Sequence, residues 1–243
     1  MVKVKRIDLS IEVSSKKALA DPSKSIAWVI DDCLTHDFLD MVDEFRNSLP
    51  LDDKRPTVKR RFFSSAKQCP AIRQGLMEAI QNAITDTKPI KCSDLSPCLE
   101  LHDETGKQST LCIHKDGITN PNLPLQVQVL AYMRFLEYDQ VGGHLDAHTD
   151  GNKVCEDTGL SSTHTMLLYL SDCHVGGETI LFSPTTASKG SSSTRVVVEA
   201  VQPRLGRVLL FPHATWHEGA PTVDVPKLCL RAELALHSFA ARE

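Results

Sequence analysis

From residue 125 onward the chain breaks into short apolar segments, many of them β-branched, at 126–138, 163–170, 179–182, 193–201, 207–211 and 227–236, with turn-forming residues between them. Runs of this length and composition read as strands. Helical periodicity is confined to the first half. Thr35 is a candidate N-cap for a helix over 36–48, where Phe38, Val42, Phe45 and Leu49 keep helical spacing until Pro50 stops it. A second helix fits 70–85, with Ile72, Leu76, Ile80 and Ile84 as its buried stripe. Residues 26–30 read as one more strand, and Val2 to Leu9 as an edge strand within a polar lead-in over 1–25. Helices first and strands after predict an α+β fold with a mainly β core, the helices packed outside an antiparallel sandwich or barrel. Residues 26–243 are expected to form a single domain. Residues 86–124 mix Pro, Ser, Asp, Asn and Gly without periodicity and read as an insertion or substrate loop, and 183–193 as a surface loop.

Composition narrows the classes of function. The 27 basic and 31 acidic residues give a net charge of −4, without the basic footprint expected of a nucleic-acid binder. No run of about 18 apolar residues is present, so no membrane-spanning helix is expected. Met1 to Ala20 has no apolar secretory core, and the tail Ala240-Ala241-Arg242-Glu243 is no retention or prenylation signal. The eight cysteines are dispersed, with no C-x-x-C pair. They read as reduced thiols of a cytoplasmic or nuclear protein rather than as disulfides or a zinc knuckle.

The chemistry-bearing motif is His148-Thr149-Asp150, with His217 arriving 67 residues after Asp150. Side chains two apart on a strand project to one face, which would put His148 and Asp150 a single pleat apart. Two imidazoles and one carboxylate on one side of a metal, with coordination positions left open, are the facial triad of non-haem Fe(II) oxygenases. His144-Leu145-Asp146 is a second H-x-D and competes for the register.

Four segments in order carry a resemblance. They are Arg134-Phe135-Leu136-Glu137-Tyr138 with Gly142-Gly143 and His148-Thr149-Asp150-Gly151; Leu167 to Asp172 with Gly176-Gly177-Glu178-Thr179 and Phe182; Gly206 to Pro212; and His217-Glu218-Gly219-Ala220-Pro221 with Lys227. Over roughly 126–236 the chain resembles the prolyl 4-hydroxylase-like branch of the 2-oxoglutarate and Fe(II)-dependent dioxygenases. The resemblance implies a double-stranded β-helix, or jelly roll, whose mouth holds Fe(II) on His148, Asp150 and His217. It implies 2-oxoglutarate and O2 as cosubstrates, with ascorbate as reductant, and a protein or small-molecule substrate hydroxylated at an unactivated C–H bond. Peptidyl proline is the family's best-known target. The far carboxylate of 2-oxoglutarate needs a cation. Lys227 stands ten residues after His217, where the family carries Lys or Arg; Arg231 is the rival, and arginine offers a two-pronged grip that lysine cannot. Tyr169 occupies the place of a carboxylate-binding tyrosine in relatives, and Tyr138 is a second candidate for the same pocket. The glycines flanking His148 and Asp150 favour that pair over His144 and Asp146, which then become rim residues.

The chain departs from the family at Leu145, where an aromatic residue is common, and in a last strand without tryptophan. Both departures bear on the substrate. An AlkB-like oxidative demethylase and a catalytically silent, metal-binding jelly roll stay open as alternatives. His164, His174 and His213 read as surface or core histidines.

Overall fold

The structure, a computed structural model, describes residues 1–9, 26–54, 57–86, 98–102, 108–114, 117–119, 126–155, 159–183 and 195–237. Its first half contains β1 (Lys3–Asp8), β2 (Ile26–Asp31), α1 (His36–Ser48), β3 (Asp53–Lys54), β4 (Lys59–Ser64), α2 (Ser65–Gln68) and α3 (Pro70–Asp86). Three strands follow: β5 (Cys98–His102), β6 (Gln108–His114) and β7 (Gly117–Thr119). The last part holds β8 (Gln126–Tyr138), β9 (Leu145–His148), β10 (His164–Tyr169), β11 (Thr179–Phe182), β12 (Val197–Val201), β13 (Val208–Pro212), β14 (His217–Gly219) and β15 (Lys227–His237). Among the described residues no helix is long and apolar enough to cross a membrane.

An eight-stranded antiparallel sheet runs in the order β1-β2-β13-β10-β15-β8-β4-β3, and a four-stranded sheet in the order β12-β11-β14-β9. The period of two sorts the side chains of the large sheet between its faces. Trp28, Phe135, Met166, Leu168, Leu210 and Leu230 point one way and pack with Leu39, Val42, Ile72, Leu76 and Ile80 of the helices. Their neighbours Val29, Leu136, Leu167, Tyr169, Leu209 and Cys229 point the other way and pack with Leu181 and Val201 of the small sheet. β10 is buried at every position because it is covered on both faces. This is the jelly roll with helices outside.

The helix signals act as expected. Thr35 Oγ1 accepts a hydrogen bond from Phe38 N at 3.3 Å, and Asp37 sits in the first turn, where the helix dipole favours an acid. The stripe Ile72, Leu76, Ile80 and Ile84 is fully buried. A Cβ on Gly75 would collide with the Phe38 ring, so glycine there lets α1 and α3 approach.

Two stretches differ from the sequence reading. Within 86–124, β5, β6 and β7 form a three-stranded sheet of their own among the described residues, so this segment has regular structure without apolar periodicity. β4 falls in a stretch that the reading leaves unassigned, because Lys59-Arg60-Arg61 looks like a solvated charge run. Its charges are met by the neighbouring strand: Arg61 pairs with Glu137 and Lys59 with Asp139. The loop at 183–193 lies, after Ser183, outside the described residues.

Arg207 ties the end of β2 to the turn before β13. Its Nε and Nη2 donate to the two oxygens of Asp31 at 2.7 and 2.9 Å. The bond from Arg207 lowers the Asp31 pKa below its ordinary 3.8. A carboxyl depressed in the folded state contributes stability above its unfolded pKa and loses it as pH falls through the folded value. Asp31→Asn is therefore expected to cost about 1–2 kcal/mol at neutral pH. That difference should vanish well below pH 3.8. Urea unfolding of both proteins at neutral and strongly acidic pH checks it; a penalty independent of pH would show that the ion pair contributes nothing.

Candidate metal centre

Pairing of β9 with β14 sets His148 opposite His217, and their ring centroids are 4.3 Å apart. Asp150 arrives differently from the expectation. β9 ends at His148, and Asp150 lies in the turn beyond it, where its N–H donates to the His213 carbonyl at 3.0 Å. The carboxylate thus reaches the imidazoles through a pinned turn rather than a strand pleat. Asp150 Oδ1 is 3.7 Å from His148 Nε2, and Oδ2 is 3.6 Å from His217 Nε2. The three ligand atoms all lie within 4.8 Å of one another.

The ring orientations are set by the backbone. His148 Nδ1 bonds the Asp146 carbonyl at 2.7 Å, and His217 Nδ1 bonds the Thr215 carbonyl at 3.0 Å. A carbonyl only accepts, so Nδ1 carries the proton and each Nε2 turns its lone pair toward Asp150. Burial lowers the His217 pKa to about 4, leaving the ring neutral at neutral pH. Burial alone would raise Asp150, but Arg231, His217 and Thr165 outweigh it and hold the carboxyl at about 2. Two imidazoles and one carboxylate converging on one point fit a divalent transition metal.

Asp150 has its own supports. Arg231 Nη2 lies 2.7 Å from Oδ1, and Thr165 Oγ1 donates to Oδ2 at 2.6 Å. Thr165 spends its proton on Asp150, so it accepts from His213 Nδ1 at 3.0 Å; His213 Nε2 then accepts from Ser162 Oγ at 2.8 Å. His213, read from sequence as a surface or core histidine, therefore steadies Asp150 twice, through its carbonyl and through Thr165. No motif announces Thr165 or His213. By contrast His164 is a core histidine, 5.5 Å from Trp28, with its pKa lowered by burial to about 3. His144 bonds the Gly142 carbonyl and Asp146 points into solvent, so this H-x-D is a rim pair.

The two candidate cations for 2-oxoglutarate are separated by what they touch. Lys227 and Arg231 share the inner face of β15 and both line the cleft beside the triad. Arg231 is taken up by Asp150 and Glu233. Lys227 is 2% exposed, with Nζ 4.9 Å from the Tyr138 ring centroid, and joins no salt bridge among the described residues. Its burial lowers its pKa. Tyr138 lines the cleft as expected. Tyr169 does not: its hydroxyl donates to Thr179 Oγ1 at 2.7 Å, and Thr179 is the residue at the cleft wall. Tyr169 lies two residues beyond Leu167, the last lining residue on β10, and its partner Cys229 is itself at the cleft wall. The cleft also exposes Arg60 and Arg134, on β4 and β8, which the motif reading did not single out for the site. About 480 Å³ in and before this cleft is free of protein atoms, open solvent included.

Residues 128–232 match the family profile of the 2OG-Fe(II) oxygenase superfamily. No curated protein sequence matches the chain. Among solved structures, an oxidoreductase of the 2OG-Fe(II) oxygenase family from Burkholderia pseudomallei is similar at a TM-score of 0.51 and 10% identity, over 93% of this chain and 94% of that one. The non-haem α-ketoglutarate-dependent epimerase SnoN of nogalamycin biosynthesis is similar at 0.50 and 13% identity, over 86% and 78% of the two chains. A prolyl-4-hydroxylase from Pseudomonas putida is similar at 0.47 and 15% identity, over 86% and 91%. The first two similarities concern the fold, and the profile concerns the sequence that builds it. Residues 128–232 contain the motif strands of the jelly roll and the three converging side chains, and over that stretch the sequence is similar to the 2OG-Fe(II) oxygenase superfamily.

Proposed function

We propose that the protein is an Fe(II)- and 2-oxoglutarate-dependent dioxygenase of the prolyl 4-hydroxylase-like kind. It hydroxylates an unactivated C–H bond and releases succinate and CO2, with a prolyl residue of a protein as the first substrate to test. The observation that carries this reading is the convergence of His148, Asp150 and His217 beside Lys227, a buried cation with no salt bridge among the described residues. The similarity to the superfamily supports Fe(II), 2-oxoglutarate and O2; ascorbate is added as reductant.

Bound Fe(II) would supply the activation of O2 that is coupled to oxidative decarboxylation of 2-oxoglutarate. The chain's own residues do the rest. His148 and His217 offer Nε2 because their Nδ1 protons are held by carbonyls. Arg231 and Thr165 keep Asp150 ionised and aimed. Lys227 binds the far carboxylate of 2-oxoglutarate, with Tyr138 against it and the Thr179 hydroxyl on the neighbouring wall. Leu136, Leu145 and Leu167 line the same cleft and give it an apolar wall.

Purified protein with Fe(II), ascorbate and 2-oxoglutarate should form succinate, and proline-containing peptides should gain the mass of one oxygen atom. Lys227→Met should raise the KM for 2-oxoglutarate roughly 10- to 100-fold, the effect of losing a charge-assisted bond of about 1.5–3 kcal/mol. Bound metal should stay stoichiometric. An unchanged KM would take the carboxylate away from Lys227. Metal binding without succinate under any peptide pool would leave the silent jelly roll, and salt-dependent binding of single-stranded nucleic acid would favour the AlkB-like alternative.

A further inference from the structure

The cleft carries more positive charge than the chemistry above uses. A divalent metal and the 2-oxoglutarate dianion cancel. Lys227 meets the far carboxylate on that reading, and Arg231 is engaged by Asp150 and Glu233. Arg134 is left over. It projects from β8 on the same face as Leu136 and Tyr138 and lines the cleft with His148 and His217. Its Nε is buried without a hydrogen-bond partner, and its guanidinium joins no salt bridge among the described residues. Its Cα is paired with that of Arg231, so two guanidinium side chains stand directly across paired strands. Like charges in that position destabilise a sheet. Burial first, and then Arg231, lower the Arg134 pKa to about 10. Arg60 adds positive charge to the same wall, and the one acid lining the cleft, Glu218, forms no ion pair with Arg134 among the described residues.

A desolvated guanidinium facing a cleft is a planar fork suited to one ligand chemistry, a carboxylate held by two parallel bonds. We propose that Arg134 receives a carboxylate of the substrate, so that the molecule oxidised here is an acidic small molecule or a peptide with an acidic side chain close to the oxidised carbon. This rests on the 2-oxoglutarate reading of Lys227 and names the substrate class for that site.

The test keeps the cosubstrate place filled. The protein is loaded with Zn(II) and saturated with N-oxalylglycine, a 2-oxoglutarate analogue that is not decarboxylated. Calorimetric titration then compares N-acetylaspartate with N-acetylasparagine, and an aspartate-containing tripeptide amide with its asparagine counterpart. At least one acid should bind tenfold or more tightly than its amide, and the peptide arm tells an acidic side chain from a small molecule. Arg134→Gln should abolish the preference while leaving N-oxalylglycine affinity within about twofold, which also reports an intact fold. Arg134→Lys should retain part of it. Equal affinity for acid and amide in both arms overturns the proposal, as does a preference that survives Arg134→Gln. A large loss of N-oxalylglycine affinity in Arg134→Gln overturns it too, by assigning Arg134 to the cosubstrate. Failure of the wild-type protein to bind N-oxalylglycine overturns the cosubstrate reading and this inference together, whereas binding without discrimination overturns this inference alone.

Discussion

His217→Ala is expected to lower metal affinity by well over a hundredfold and to remove 2-oxoglutarate turnover. The geometry sets that size. His217 Nε2 is one of three converging donor atoms among the described residues. Its tautomer is already chosen by the Thr215 carbonyl and its ring is already neutral, so no preparation is needed before it coordinates. Residues that merely orient a ligand are worth 10- to 100-fold in metal affinity, and removing the ligand costs more than removing its support. Equilibrium dialysis against Fe(II) under anaerobic conditions, or against Co(II), measures the loss. Stoichiometric metal retained by His217→Ala, or by His148→Ala, would place the metal elsewhere. Thr165→Val offers a graded comparison, because it removes one bond to Asp150 but no donor atom.

Arg231→Met is expected to destabilise the metal-free protein by about 3–5 kcal/mol, because it leaves two buried carboxylates, Asp150 and Glu233, without their common partner. For a chain of this size that lowers Tm by roughly 10 °C. Thermal unfolding in the presence of EDTA measures it. Added divalent metal should restore part of the loss, since the ion binds the folded state and gives Asp150 a new positive partner. The double replacement Arg231→Met with Glu233→Leu should be milder than the single one, because it removes a charge together with its partner. A single variant as stable as the parent would mean that Arg231 is not what keeps Asp150 charged.

These two predictions rest on different kinds of residue, and the difference measures how much could be read from the chain. His148, Asp150 and His217 stand out from spacing and residue type, because a metal would need particular donor atoms at particular separations, and Lys227 stands out through the family resemblance. Arg231 stands out only as a rival to Lys227. Its bond to Asp150 joins residues 81 positions apart in sequence and exists only once β15 lies beside β10. Thr165 and His213 are ordinary in sequence and acquire their role in the same way. Tyr169 stands at a position suggestive of the pocket, and only the folded chain shows its hydroxyl donating to Thr179 at the cleft wall.

The helices and most strands were legible because their signals are local. A cap at Thr35, a stripe of isoleucines and leucines four apart and the short apolar run of β10 each act within a few residues. β4 was hidden because its charges are neutralised by a partner more than seventy residues away. The placement of Asp150 was misjudged because a turn held by the His213 carbonyl, rather than a pleat, carries it. Side-chain chemistry and short-range periodicity thus decide what the chain can bind and which segments become strands. The antiparallel register between distant strands decides which of those groups meet, because pairing and burial bring charges and lone pairs within bonding distance only after the two sheets have closed.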